Sequence, residues 1–171
     1  MTNELLAKGL AAASDTRVVE VARGVLTRSG TILRESLFSA GEPALVVADE
    51  RTWAAAGMAV QESLAAAGVQ VLEPLIFPGF PVLYAALENS ETIRERLRAT
   101  GALGVAVGSG TINDLVKLAS GDLGRPYAVV GTAASMDGYS GFGAPMSKAG
   151  VKITMPCPAP AVVIFDLDVA A

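Results

Sequence analysis

Short unbroken apolar runs alternate along this chain with longer stretches in which apolar residues return every three or four positions. The runs at 44–48 (ALVVA), 105–107 (VAV), 127–130 (YAVV) and 161–165 (AVVIF) carry no polar residue. Runs of that length predict strands buried on both faces, as in a parallel sheet. Residues 17–26 alternate loosely and predict an early strand, and 69–72 predicts a further short one. Helices are expected over 2–13, 29–38, 52–67, 111–120 and, as one or two pieces, 81–99. Gly41-Glu42-Pro43, Gly68 and the loop 77–80 (FPGF) punctuate these elements. Residues 137–152, rich in Gly and Ser, suit a hairpin or flap, and Pro156-Cys157-Pro158-Ala159-Pro160 can only be a rigid connector. Strands alternating with helices at this spacing predict an α/β domain, with a mainly parallel sheet and helices on both faces in a Rossmann-like arrangement. The 171 residues suit a single domain, with no internal repeat.

Composition narrows the chemistry. Hydrophobic residues make up 51% of the chain but aromatic ones only 5%, so the core must be built from small aliphatic side chains. That suits helices packed closely on a sheet. The net charge of −4 is spread out with no basic run, which argues against a nucleic-acid partner. No run is long and apolar enough to insert in a membrane, and the N-terminal stretch is not patterned as a signal peptide. The single cysteine, Cys157, excludes an intrachain disulfide and a Cys-based zinc site, so a cytoplasmic setting is expected. There is no histidine, so neither Ser-His-Asp nor Cys-His catalysis can be carried within the chain, and neither can a His-bearing metal site.

Two turns carry the candidate chemistry. Gly108-Ser109-Gly110 follows the 105–107 strand and opens a helix with Thr111, Ile112, Asn113 and Asp114. Glycines there let the backbone approach a phosphate, and the helix start offers free amides. The run is neither a complete G-x-G-x-x-G fingerprint nor a Walker A loop. A bare Gly-x-Gly is often only a tight turn. The second turn, Gly131 to Gly138 (GTAASMDG), repeats the logic with Thr132, Ala133, Ala134, Ser135 and then Asp137. If the two preceding strands are parallel neighbours, both turns open at the carboxyl edge of one sheet, where such folds bind ligands. Asp137 could equally be a turn residue bonding its own backbone. Asp49, closing the 44–48 strand, could accept hydrogen bonds from a ribose diol, but on position alone capping the next helix is the commoner role. The charged row Glu91, Arg94, Glu95 and Arg98 reads as solvated helix surface.

The ordered succession VGSGTINDLVK, PYAVVGTAASMDGYSGFGAP, GVKITM, PCPAP and DLDV resembles the sn-glycerol-1-phosphate dehydrogenases. These are similar in fold to iron-containing alcohol dehydrogenases, glycerol dehydrogenases and dehydroquinate synthases. The resemblance runs from about residue 44 to the C-terminus and is strongest over 108–168. It implies that Asp49 binds the adenosine ribose of NAD or NADP, in place of a plain cap. It further implies that Gly108 and Gly110 to Asp114 hold the pyrophosphate, that Thr132 to Ser135 form a second nucleotide contact, and that Asp137 faces substrate. Lys152 is implied near the nicotinamide ribose. Gly141 stands where the family often has Ser. A divalent metal, zinc or similar, is implied on a carboxylate and two histidines of a helical C-terminal domain, so residues 1–171 are expected to be the NAD(P)-binding domain alone, inactive by itself. The expected substrate is a small phosphorylated ketone or alcohol. A glycerol dehydrogenase or another metal-dependent alcohol dehydrogenase of the same fold, a non-catalytic nucleotide-binding module and a ligand-free interaction domain are the alternatives. An apolar face is expected to drive association, with a homo-oligomer as one outcome. Asp49 and Glu50 together predict a lean towards NAD, since both would repel a 2′-phosphate.

Overall fold

A six-stranded, wholly parallel sheet organises the computed structural model, which describes residues 2–136, 138–148 and 150–170. The strands are β1 (Val18–Ala22), β2 (Ala44–Asp49), β3 (Leu75–Phe77), β4 (Leu103–Gly108), β5 (Ala128–Gly131) and, after a hairpin, β8 (Val162–Asp166). Their spatial order is β1-β8-β5-β4-β2-β3. The hairpin pairs β6 (Ala144–Lys148) with β7 (Val151–Met155) antiparallel, outside the main sheet.

The apolar runs alternate between two cores, as a strand buried on both faces must. Val46 of β2, Val105 and Val107 of β4, and Val130 of β5 point to one side. There they meet α2 (Ser29–Ser36) and α4 (Met58–Ala66) through Leu33, Val60 and Leu64. Leu45, Val47, Ala106 and Val129 point to the other side. There they meet α5 (Leu87–Thr100) and α6 (Gly110–Asp122) through Ile93, Leu97, Ile112 and Leu115. Each such aliphatic side chain, fully buried, contributes about 1.5–3 kcal/mol. The helix α1 (Thr2–Ala12) is largely exposed.

Several expectations are corrected. The early strand stops at Ala22, because the Asp166 carboxylate accepts the Gly24 and Leu26 N–H groups (3.0 and 3.1 Å) and folds 25–28 into a 3-10 turn. Residues 69–72 make a single bridge, Val71 to Ala44, rather than a strand. Pro74 supplies no N–H, and the ladder resumes at Leu75. The helix expected over 81–99 begins only at Leu87; before it, the Ala85 carbonyl accepts the Ser147 N–H (2.7 Å) and anchors the hairpin. The helix after β2 starts at α3 (Glu50–Thr52) and passes through a π-helical turn, Trp53–Gly57, before α4. Finally, α6 is not amphipathic over its middle. Ile112 to Ser120 are all buried, since the sheet, α5, and the hairpin with the segment leading into it together surround the helix.

Candidate nucleotide site

The chain passes from β2 outward to β3, then crosses back to β4 on the other side of β2. The helices after β2 and after β3 therefore lie on opposite faces, and a crevice opens between the carboxyl ends of β2 and β4. That reversal is where open α/β sheets place ligands. A cleft of about 140 Å³ occupies it, walled by Asp49 and Arg51 on one side and by Ser109, Thr111 and Ile112 on the other. Pro78, Gly79, Val82 and Leu83 of the loop after β3 close its end. A complete small-molecule pocket spans roughly 300–1,000 Å³, so this cleft is one wall of such a pocket.

On the β4 side, Ser109 is the N-cap of α6 with an extended backbone, and its hydroxyl makes no capping bond. The Asn113 N–H reaches the Ser109 carbonyl (3.1 Å), so Gly110, Thr111 and Ile112 precede the first intrahelical bond. Three donors and the positive end of the helix dipole thus face the cleft end of α6, an arrangement that favours an anion. The two glycines are there for different reasons. A Cβ on Gly108 would stand 2.7 Å from the Ile112 Cβ, so this glycine is what lets strand and helix pack closely. A Cβ on Gly110 would meet only the Met136 side chain, at 3.4 Å, which is ordinary contact. Only Gly110 keeps the backbone open.

The second turn does lie beside the first. β4 and β5 are parallel neighbours with Gly108 opposite Gly131, and the Thr132 N–H donates to the Gly108 carbonyl (3.2 Å). Thr132 and Ala133 are half-buried, and Ala134 and Ser135 are exposed. Tyr139 ties the two turns together. Its hydroxyl lies 3.1 Å from the Ala133 carbonyl and 3.4 Å from the Gly108 carbonyl, and its ring stacks edge-on against Phe165 at 4.7 Å. Burial raises the phenol pKa, which keeps the hydroxyl protonated as a donor. Sequence reasoning passed over Tyr139; a lone tyrosine in a Gly/Ser-rich run was its only signal.

On the β2 side, Asp49 is a helix cap in fact. Its Oδ1 accepts the Arg51 and Thr52 N–H groups (2.9 and 2.8 Å), and Thr52 Oγ1 accepts the Asp49 N–H (3.1 Å) in return. Among the described residues no donor is bonded to Oδ2. The cap and a ligand contact are therefore compatible: one oxygen serves each. Glu50 sits at the closed end of the cleft without lining it, its Oε2 accepting the Gly79 N–H (3.0 Å) and pinning the loop after β3.

The remaining residues singled out in the sequence lie apart from this cleft. Asn113 is fully buried, its Oδ1 accepting the Tyr127 hydroxyl (3.0 Å). Asp114 is almost buried, 3.8 Å from Lys117 Nζ. Burial raises its pKa to about 6, against the pull of that ammonium. Lys117 is itself 1% exposed and donates to the Gly141 and Gly143 carbonyls (2.9 and 3.1 Å). Burial lowers its pKa, and the Asp114 carboxylate opposes this. Lys152 is exposed on β7, opposite Ser147 of the hairpin, and does not line the cleft. Asp137 lies outside the described residues. No group of three or more Cys, Asp or Glu side chains among the described residues is clustered as metal ligands would be, so these residues do not fit a divalent metal. No helix among them is long and apolar enough to cross a membrane.

Comparisons with known proteins bear on the family and the fold. The family profile described as iron-containing alcohol dehydrogenase matches residues 20–171. A protein of Halalkalibacterium halodurans named glycerol-1-phosphate dehydrogenase [NAD(P)+] is 35% identical over 125 residues, covering 72% of this chain and 31% of that protein. One of the same name from Pyrococcus horikoshii is 32% identical over 130 residues, covering 75% and 36%. The chain spans about a third of the length of these curated relatives. Among solved structures, a glycerol dehydrogenase of Schizosaccharomyces pombe superposes with a TM-score of 0.78 at 22% identity, over 92% of this chain and 39% of that one. A 2-deoxy-scyllo-inosose synthase complexed with carbaglucose-6-phosphate, NAD+ and Co2+ gives 0.70 at 20% identity, over 89% and 42%. At these identities the structural likeness speaks for the fold.

Proposed function

The chain belongs to the iron-containing alcohol dehydrogenases, and we propose that it is the nucleotide-binding part of an NAD(P)-dependent sn-glycerol-1-phosphate dehydrogenase. The observation that carries the proposal is the pairing of the two small-residue turns, Gly108 opposite Gly131, beside the β2–β4 reversal. Relatives named for NAD(P)-dependent glycerol-1-phosphate oxidation or reduction support the choice within the family.

In this reading the amides of Gly110, Thr111 and Ile112 hold the pyrophosphate, and Ser109 and Thr111 add hydroxyl donors to it. Asp49 Oδ2 accepts from the adenosine ribose while Oδ1 keeps the helix capped. The turn from Thr132 to Ser135 flanks the nucleotide on the β5 side, with Tyr139 fixing its distance from the first turn. The cofactor, when bound, supplies or accepts a hydride. Lys152 and Asp137 are assigned to the nicotinamide ribose and the substrate through the resemblance only. Residues 1–171 are on this proposal the NAD(P)-binding domain of a longer cytoplasmic enzyme. Its divalent metal and helical domain involve residues other than those described, and dihydroxyacetone phosphate is its carbonyl substrate.

Calorimetric titration of the chain with NADH is expected to show saturable one-site binding. Binding that survives Ala substitution of both Asp49 and Thr111 would remove the site from this cleft. Metal-loaded full-length protein is expected to reduce dihydroxyacetone phosphate. Reduction of another ketone in its place would leave the nucleotide reading intact and overturn the substrate.

A further inference from the structure

The charges at the adenosine end of the cleft are not those that the run Asp49-Glu50-Arg51 suggests when read as letters. Two adjacent acids would repel a 2′-phosphate. Glu50, however, is not among the residues that line the cleft; its carboxylate accepts the N–H of Gly79 at the closed end (3.0 Å). The fold also sets half of the Asp49 carboxylate against two backbone donors, which draw on its negative charge. Arg51, by contrast, lines the cleft together with Asp49, and its guanidinium is exposed and in no ion pair among the described residues. Arg51 sits in the first turn of α3 with its own N–H on the Asp49 carboxylate, and both residues line the cleft.

We propose that Arg51 is the residue that reads the adenosine 2′ position, pairing the 2′-phosphate when the cofactor is NADP. A guanidinium pairs a phosphate monoester through two parallel N–H donors, which an ammonium cannot match. Next to it, Asp49 Oδ2 remains the acceptor for a free 2′-hydroxyl. One cleft thus carries an acceptor for the diol and a cation for the phosphate, and each serves the cofactor that the other does not favour. The inference rests on the cleft being the adenosine end of a dinucleotide site, as proposed above.

The test compares NADH and NADPH affinities, by calorimetry or nucleotide fluorescence, for the wild-type chain, Arg51→Gln and Arg51→Lys. Arg51 is exposed and its side chain supports no other residue, so both variants fold. Wild type is expected to bind both cofactors. Arg51→Gln is expected to weaken NADPH by about ten- to hundredfold while NADH changes by less than about twofold. Arg51→Lys, keeping charge without the planar fork, is expected to fall in between for NADPH. NADPH affinity untouched by Arg51→Gln, both cofactors weakened alike, or a wild type that binds NADH and ignores NADPH would each overturn the inference and leave the nucleotide site standing. A wild type that binds neither overturns the site and the inference together.

Discussion

At the mouth of α6, Ser109, Gly110 and Thr111 are half-exposed and the backbone donors are free. One to two turns further along the same helix, Asn113, Asp114 and Lys117 are buried: Asn113 accepts from Tyr127, Lys117 donates to the carbonyls of Gly141 and Gly143, and Asp114 faces Lys117 at 3.8 Å. Both groups are polar, both fall within GSGTINDLVK, and both would pass for ligand residues in a list of letters. The mouth leaves its hydrogen-bonding capacity unused, which is what a binding site must do. The inner group commits the Asn113 Oδ1 and the Lys117 ammonium within the protein, although Asn113 Nδ2 has no partner among the described residues and Asp114 meets only Lys117. The group holds the segment before the hairpin against α6, and so holds the second turn in place. The comparison yields a rule for variants: changes at the mouth should move affinity and spare stability, and changes in the inner group should do the reverse.

The largest effect is expected for Lys117→Met. Methionine keeps much of the length and apolar stem but leaves two carbonyls without a donor and Asp114 without its counter-charge. Removing one partner of a buried ionic pair costs about 3 kcal/mol or somewhat more. The midpoint of urea unfolding should fall accordingly, while NADH affinity of the still-folded protein at low denaturant changes by less than about threefold. Stability held and affinity lost would mean that the inner group belongs to the binding site after all.

The parts of this arrangement that were legible beforehand are those set by local pattern. Runs such as ALVVA and AVVIF announce strands with no exposed face, and the Gly-x-Gly after VAV announces a strand-to-helix turn. Their placement at one sheet edge follows from alternation alone. What could not be read depends on long-range partners. Nothing near Lys117 in the chain shows that the carbonyls at 141 and 143 will take its ammonium, 24 and 26 residues away. Nothing beside Glu50 in the chain shows that Gly79, 29 residues on, will bond its carboxylate. Gly108 and Gly110 look equivalent as letters, yet one is required by Ile112 packed against it and the other is not. The shift of the third strand from 69–72 to Leu75–Phe77 belongs to the same class, because the ladder to β2 decides it.

A smaller effect, expected from pH, probes the inner group without altering its shape. The Asp114 pKa is raised from its ordinary 3.8 to about 6, chiefly by burial, with Lys117 pulling the other way. Tyr127 and Cys157 are its other titratable neighbours, and both have raised pKa values, so they stay neutral over this range. A folded-state pKa above the unfolded one means that the native protein holds the proton more tightly. The resulting stabilisation is complete below about pH 3.8 and is lost as pH rises through about 6. Asp114→Asn should flatten that part of the stability profile, with wild type losing about 2 kcal/mol relative to the variant between pH 4 and 6.5. Equal slopes in the two proteins would place the titrating group elsewhere.

The smallest expected change in stability is at the mouth, where Gly110→Ala should alter unfolding by no more than about 0.5 kcal/mol. Its new Cβ would meet Met136 at an ordinary 3.4 Å, and alanine is at least as good a helix former as glycine. On the proposed binding mode the same methyl would crowd a phosphate oxygen approaching the helix amides. NADH affinity is therefore expected to drop by about tenfold, at unchanged thermal midpoint. The contrast with Lys117→Met is what makes the pair informative: one variant moves only binding and the other only folding, although the two residues are seven positions apart on one helix. If Gly110→Ala bound NADH as well as wild type does, the pyrophosphate would have to lie off the α6 axis. The amides of Thr132 and Ala133 on the neighbouring turn would then be the donors to test next.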